Sequence, residues 1–329
     1  MLWIHIGMPK TGTTALQAFM HHNARFLSNH DINYMTTGRD RGTGVPRLIC
    51  HNPMAMSMSR GWAKGPDAEA FEQELKVSPS KNHIISSEMF FGRDLAPLHN
   101  RFLSRYDGPV KIVVYLRRFD DFIDADYKQR AKNGMVAGGV DAFVKARLSQ
   151  IKNDANFLNI GAAFEQIVSQ LPSATICPRL YLREELVGAD VITDFLSLLG
   201  LSPEDVELPN VAANQSLSRI ASEALGLFDE KTTGHTKKAR RRLSRTLQQS
   251  DDPLLFGRGD VLTSDERQYV NETLEQRNAE MRQQYFPNRD RLFPQRDQSA
   301  GERERGNSDE LLGFQYAVRK LLALIHSQS

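Results

Sequence analysis

Cysteine is scarce in this chain, and neither sign of charge is in excess. Two cysteines, Cys50 and Cys177, stand far apart among 329 residues, without metal-ligand spacing around them. This scarcity argues against a disulfide framework and favours a reducing compartment. The 42 basic and 40 acidic side chains leave a formal net charge of +2. Because there is no global electrostatic field, anion binding must come from local sites, and we expect no nucleic-acid partner.

Apolar runs long enough to span a bilayer are also missing, and Met1 leads directly into an apolar strand rather than into a signal peptide. We therefore expect a cytoplasmic protein whose only membrane contact would be peripheral. A hydrophobic content of 40% with 25% charged residues is typical of globular proteins. The length allows one large domain or two small ones.

What the sequence does contain is an N-terminal segment suited to holding a phosphate. Residues 2–6 are a short apolar strand, residues 7–12 a glycine-flanked loop, and the residues from Thr13 onward an amphipathic helix. Glycines allow backbone conformations that turn N–H groups toward an anion, and the helix N-terminus adds unpaired donors and the positive end of its dipole. The hydroxyls of Thr11, Thr13 and Thr14 lie at the same rim.

The loop differs from the nucleotide-binding pattern G-x-x-x-x-G-K-[ST] in the position of its lysine. It keeps Gly7, Gly12 and Thr14, but Thr13 stands where the lysine belongs, and Lys10 lies inside the loop. No acidic motif that would hold Mg²⁺ is evident, so we expect no metal. The segment GMPKTGTT resembles the 5′-phosphosulfate-binding loop of the sulfotransferase family. That resemblance implies that Lys10 faces the sulfuryl group of 3′-phosphoadenosine 5′-phosphosulfate (PAPS). A structural turn with an exposed lysine is the alternative interpretation.

Further along, apolar strands alternate with helical patterns, which predicts an α/β fold with a doubly wound parallel sheet. Together with the loop, this favours a P-loop-like sheet flanked by helices, followed by a helix-rich C-terminal part. Glu88 follows the strand in KNHIISS, and Arg117 and Arg118 follow the strand VKIVVYL. Because open α/β sheets bind ligands at the carboxyl ends of their strands, these side chains are candidate site residues.

The segment after VKIVVYL resembles the family's second anion-binding motif, which holds the 3′-phosphate with an arginine and a serine eight positions later. Arg117 matches the arginine, and Ala125 stands at the serine position. The resemblance implies that Arg117 and Arg118 bind the 3′-phosphate. With alanine at the serine position, either a distant group such as the basic cluster at 237–245 helps to carry this phosphate, or the affinity for the cofactor is weakened. A salt-bridged start of the following helix, formed with Asp120 and Asp121, is the alternative.

The resemblance also supplies chemical roles. Lys10 would stabilise the departing 5′-phosphate of 3′-phosphoadenosine 5′-phosphate (PAP), while the Gly12 and Thr13 N–H groups and the Thr13 and Thr14 hydroxyls hold that phosphate. Glu88, by its strand-end position and by similarity to carbohydrate sulfotransferases, is the candidate general base. His51 is its competitor, and a Glu88 that only caps a helix is the structural alternative.

The sequence therefore predicts an enzyme, a sulfotransferase that uses PAPS to sulfate a hydroxyl. The resemblance to bacterial carbohydrate-type members implies a saccharide or glycolipid precursor as acceptor. A P-loop kinase or other nucleotide-binding enzyme that uses ATP is the second hypothesis. A non-catalytic anion-binding protein is the third, and Ala125 is the residue that keeps it open.

The domain prediction follows composition. Residues 1–294 would form the sulfotransferase-like domain, with 210–294 as a helical part that covers acceptor and cofactor, and residues 295–307 a charged linker. Residues 308–329 form an amphipathic helix that we expect to dock on its own domain or to mediate self-association. The segment from Gly38 to Asp67, which carries His51 and Arg60, is predicted to cross the mouth of the site; a methionine-rich packing segment is the alternative.

Overall fold

The structure, a computed structural model, alternates strands and helices around one parallel sheet. It describes residues 1–39, 48–58, 67–133, 135–136, 139–152, 160–202, 217–226, 243, 246–247, 255–256, 260–295 and 308–326. The strands are β1 (Leu2–His5), β2 (Ile32–Tyr34), β3 (Asn82–Ser86), β4 (Val110–Leu116) and β5 (Ala174–Leu180). The helices of the first half are α1 (Thr13–His22), α2 (Ala24–Asn29), α3 (Asn52–Ser57), α4 (Ala68–Val77), α5 (Ala96–Leu98) and α6 (Phe119–Lys132). Those of the second half are α7 (Gly139–Lys152), α8 (Ile160–Gln170), α9 (Val191–Leu198), α10 (Arg219–Gly226), α11 (Ser264–Tyr285) and α12 (Ser308–His326).

The sheet has the strand order β2-β3-β1-β4-β5, and every pair is parallel. The register places Ile4 of β1 beside Ile85 of β3 and Ile112 of β4. The chain leaves β1 toward the β2 edge but leaves β4 toward the β5 edge. Where the connections of two adjacent strands depart in opposite directions, a crevice opens beyond their carboxyl ends, and this is where open α/β sheets bind ligands.

Both faces of the sheet are buried, as a parallel sheet requires. Trp3, Val113 and Tyr115 point to one face, where they pack with α1 and α9 residues such as Phe19 and Phe195. Because side chains alternate along a strand, their neighbours point to the opposite face. These neighbours are also fully buried: Ile4, Ile85, Ile112 and Val114. The predicted α/β class and the helix-flanked parallel sheet are confirmed.

The first predicted helix is interrupted. The apolar spacing through Leu27 predicts one continuous helix, but α1 ends at His22 and α2 begins at Ala24. Asn23 stands between them with φ −104° and ψ 26°, and its side-chain amide donates to the Phe19 carbonyl. Asparagine competes for backbone hydrogen bonds in this way, which turns the chain while Leu27 stays in the same core.

The chain separates into two compact units. The first comprises Met1–Arg117, Asn159–Pro209 and Glu280–Asp290 and contains the whole sheet. The second comprises Arg118–Leu158, Asn210–Ala279 and Arg291–Ser329. In the second unit α12 packs on α10 through Ala317 and Leu321. Leu312 and Leu322 of α12 are exposed.

A buried ion-pair network organises the second unit. Arg267 of α11 contacts Asp120 at 2.7 Å, Asp124 at 2.8 Å and Asp260 at 3.0 Å. Asp124 also accepts the main-chain N–H of Val261, which ties α6 to the segment before α11. Burial alone would raise the pKa of Asp120, but the nearby guanidinium groups outweigh it and hold that pKa below its usual value.

Over the part of the chain that the structure describes, no helix combines the length and the apolar character needed to cross a bilayer.

Candidate functional site

The loop after β1 lies at the crevice between β1 and β4. The Ile6 and Met8 N–H groups donate to the Val113 and Tyr115 carbonyls, so the chain follows β4 beyond the end of β1. It then turns sharply, with φ of 69° at Lys10 and 75° at Gly12. The buried Thr11 hydroxyl donates to the Met8 carbonyl at 2.6 Å and closes the turn. The predicted strand, loop and helix are therefore present in the first unit.

The end of the loop presents unsatisfied donors. The first bonds of α1 run from the Ala15 and Leu16 N–H groups to the Gly12 carbonyl. In the described portion of the chain, the N–H groups of Gly12, Thr13 and Thr14 have no hydrogen-bond partner. The Thr13 hydroxyl is also buried without a partner there, and no acidic residue lies in the first turn. Such a terminus, with its positive dipole end, favours an anion.

Two residues that follow β4 and β5 contact this loop. Arg117 donates from Nη1 to the Lys10 carbonyl oxygen at 2.6 Å. Its guanidinium carbon lies 5.7 Å from the centre of the Tyr181 ring. A Cβ on Gly12 would lie 3.3 Å from the Tyr181 hydroxyl and 2.8 Å from Cγ1 of Val191, so Tyr181 and the start of α9 border the loop. Sequence reasoning missed Tyr181; the signal that could have found it is its place directly after a strand.

Glu88 lies at the beginning of the loop. A Cβ on Gly7 would be 3.1 Å from the Glu88 Cα, so the two backbones are in close contact. Glu88 starts a single helical turn, Glu88–Phe90, whose cap is the Ser87 hydroxyl, which accepts from the Met89 N–H. The capping role that we considered for Glu88 thus belongs to its neighbour. Over the described residues, the Glu88 carboxylate has no hydrogen-bond or ion-pair partner.

His51 has a different environment. Its ring is buried; Nδ1 accepts the Ser86 N–H at 3.0 Å, and Nε2 donates to the Met35 carbonyl at 3.0 Å. Burial, with a smaller effect from Arg39, lowers its pKa well below the usual value. Both ring nitrogens are therefore bonded to the backbone, where they hold the ends of β2 and β3, and Glu88 is the better-placed candidate base.

A second buried histidine supports the end of β3 from the sheet interior. His5 Nδ1 lies 2.8 Å from the Ser86 hydroxyl, which also accepts from the Gln17 side chain at 3.0 Å. Burial lowers the pKa of His5 to about 3, so the ring is neutral. Sequence reasoning singled out neither His5 nor Gln17, since both read as ordinary strand and helix residues.

Arg118 takes part in an ion pair at the start of α6. It belongs to the second unit, where Nε and Nη2 donate to both Asp120 oxygens and Nη1 donates to the Pro294 carbonyl. This is the salt-bridged helix start that the sequence left open. Ala125 lies on α6 in the same unit, two residues before the buried Tyr127.

Three sequence predictions lie outside the described residues. They concern Arg60, the basic cluster at 237–245 apart from Leu243, and the charged linker beyond residue 295. Among the residues that the structure does describe, no group of histidine, cysteine, aspartate and glutamate side chains could hold a metal ion.

Comparison with known proteins finds a limited similarity. The chain is 27% identical over 149 residues to an uncharacterized protein of Archaeoglobus fulgidus. The match covers 45% of this chain and 38% of that protein, so the chain spans well under half of the relative's length. No family model and no solved structure matches the chain.

Proposed function

We propose that this protein is a P-loop-like sulfotransferase that transfers a sulfuryl group from PAPS to a hydroxyl of a saccharide or glycolipid precursor. The observation that carries the proposal is the loop at residues 7–14. The loop contains a lysine, N–H groups without a described partner, and the buried Thr13 hydroxyl, which also has no described partner. In ATP-binding loops the lysine stands at the position that Thr13 occupies here. A helix N-terminus at a crevice between diverging strands suits a 5′-phosphate.

Different residues of the loop would bind the donor phosphate and stabilise the leaving group. The N–H groups of Gly12, Thr13 and Thr14, with the Thr13 hydroxyl, would hold the 5′-phosphate of the donor, which supplies the sulfuryl group. The Lys10 ammonium would stabilise the negative charge that develops on the leaving phosphate. Group transfer of this kind depends on positioning and on charge stabilisation, which fixed donors provide without reorganisation.

Glu88 would accept the proton of the attacking hydroxyl. Its backbone touches Gly7, and its carboxylate is not committed to another described side chain. His51 is less suitable because both of its ring nitrogens are bonded to main-chain groups. A base held by the strand end next to the loop is within reach of the same crevice, as general base catalysis requires.

Binding experiments without metal test the proposal. Thermal unfolding is followed during titration with PAP and, separately, with ATP, for the wild type and for Thr13→Val, which removes the unpartnered hydroxyl and keeps the volume. At about 100 times its dissociation constant, PAP should add about 2.7 kcal/mol to the free energy of unfolding, and Thr13→Val should require more PAP for the same shift.

The other outcomes separate the alternatives. Stabilisation by ATP and not by PAP would replace the proposal with a kinase. Stabilisation by PAP without sulfuryl transfer to any saccharide hydroxyl would favour the non-catalytic anion-binding protein. No response to either nucleotide would contradict the assignment of the loop.

A further inference from the structure

The loop lysine has an unusual backbone conformation. Lys10 has φ 69°, in the left-handed region that residues with a Cβ rarely adopt. Such a residue persists only when its surroundings fix it, and these conformations concentrate at functional sites.

The main-chain carbonyl of Lys10 points to Arg117, whose Nη1 donates to it at 2.6 Å. A charged donor makes such a bond about twice as strong as a neutral one. Arg117 follows β4 directly, and β4 pairs with β1 over Val110–Val113, so Arg117 starts from the same sheet that carries the loop. On its other side Arg117 faces the Tyr181 ring, and Tyr181 is fixed by its N–H bond to the Leu116 carbonyl.

We propose that Arg117 is a positioning residue that acts through the Lys10 carbonyl: it holds the loop, and with it the Lys10 ammonium and the Gly12–Thr14 donors, in the anion-binding arrangement. The resemblance to sulfotransferases assigned Arg117 to the 3′-phosphate instead. The consequence for catalysis rests on the proposed function. The mechanical consequence, a loop that Arg117 keeps in one conformation, does not depend on that function.

Native-state proteolysis tests the mechanical part without any ligand. A lysine-specific protease can cut after Lys10 only when the loop opens, and its rate follows the open population. In Arg117→Gln we expect release of the fragment 1–10 to be about 10-fold faster, because the open state becomes more populated when one charged hydrogen bond is lost. The rate of cleavage after the exposed Lys81 should be unchanged. The control variant Arg183→Gln, at an exposed position, should be cleaved at the wild-type rate after both Lys10 and Lys81. Equal rates in wild type and Arg117→Gln, or an equal rise at Lys81, would overturn the proposal.

Nucleotide affinities test where Arg117 acts. PAP carries the 3′-phosphate and adenosine 5′-monophosphate lacks it. If Arg117 acts on the loop, Arg117→Gln weakens both by the same factor, about 10-fold, and it does so in the background of Lys10→Ala as well, because that substitution keeps the main-chain carbonyl. Arg117→Lys, which keeps a charged donor, should recover part of the affinity for both. A loss confined to PAP would make Arg117 a 3′-phosphate ligand and overturn the proposal.

The two proposals fail separately. A wild type that binds neither nucleotide contradicts the sulfotransferase assignment, and the cleavage rate after Lys10 then decides the role of Arg117 by itself. A wild type that binds PAP, with unchanged cleavage in Arg117→Gln, keeps the function and removes the positioning role.

Discussion

Gly7 and Glu88 lie so close that a Cβ at position 7 would stand 3.1 Å from the Glu88 Cα and 3.2 Å from its Cβ. The loop after β1 and the strand end after β3 are thus in contact through a residue that has no side chain. This contact fixes where the candidate base lies relative to the loop.

Gly7→Ala should therefore be strongly destabilising. Alanine would meet the Glu88 backbone and would also have to adopt φ 89°, so we expect a loss of about 2–4 kcal/mol in the free energy of unfolding. Gly139→Ala is the matched control: φ is 77°, but no atom of the described residues lies within 4 Å of the position its Cβ would take, so only about 1–2 kcal/mol should be lost. Urea unfolding of both variants measures the difference, and equal losses would show that the contact with Glu88 is unimportant.

Lys10→Ala should reduce turnover at least about 10²-fold, because it removes the cation that stabilises the leaving phosphate. Lys10→Gly should lose as much turnover but should be more stable than Lys10→Ala, since glycine adopts φ 69° without a steric cost. Sulfuryl transfer from labelled PAPS and thermal unfolding give the two quantities. Turnover within a few-fold of the wild type in both variants would exclude Lys10 from the chemistry.

Glu88→Gln should lower kcat about 10²- to 10⁴-fold, the usual range for loss of a general base, while the affinity for PAP stays the same. The substitution keeps the side-chain shape, and the cap of the following turn is Ser87, so the fold should tolerate it. Steady-state kinetics and a PAP titration are needed together. An unchanged kcat would remove Glu88 as the base.

Acid should destabilise the protein through His5 and His51, two histidines that are fully buried. The unfolded chain binds a proton on each near pH 6.5, whereas burial lowers the pKa of His5 to about 3 and that of His51 well below its usual value. Below pH 6.5 the unfolded state therefore holds more protons, and the free energy of unfolding falls by about 1.4 kcal/mol per pH unit for each histidine. For His5 this loss continues to about pH 3.

Urea unfolding between pH 7.5 and 4.5 measures that slope. His5→Gln should remove about one histidine's share of it. A wild-type slope that already equals that of His5→Gln would mean that His5 is protonated in the folded protein.

Arg267→Met should cost about 3–5 kcal/mol, because it leaves the buried Asp120 and Asp124 carboxylates without their shared partner. The exposed pair Lys76 and Glu72, 2.5 Å apart, is the comparison, and Lys76→Met should lower the free energy of unfolding far less. Combining Arg267→Met with Asp124→Asn should recover part of the loss. A purely additive double variant would show that the network is not coupled.

The sequence by itself determined the local architecture. Apolar periodicity and two glycines predict the strand, loop and helix of residues 2–22, and a continuous apolar run predicts β4, because these patterns depend on neighbours along the chain. The strand-end positions of Glu88 and Arg117 follow from the same reasoning. The break at Asn23 escaped it, since the apolar spacing continues through that residue.

Only the tertiary structure decided what each candidate side chain contacts. Arg117 and Lys10 are far apart in sequence. Their hydrogen bond exists because the register of β4 against β1 brings the end of β4 next to the loop that follows β1. The neighbouring Arg118 has the same local sequence context but pairs with Asp120. The sequence left His51 as a competing base. In the structure, both of its ring nitrogens are hydrogen-bonded to main-chain groups at the ends of β2 and β3. Hydrogen-bond partners across a sheet depend on register and packing, which no local pattern encodes.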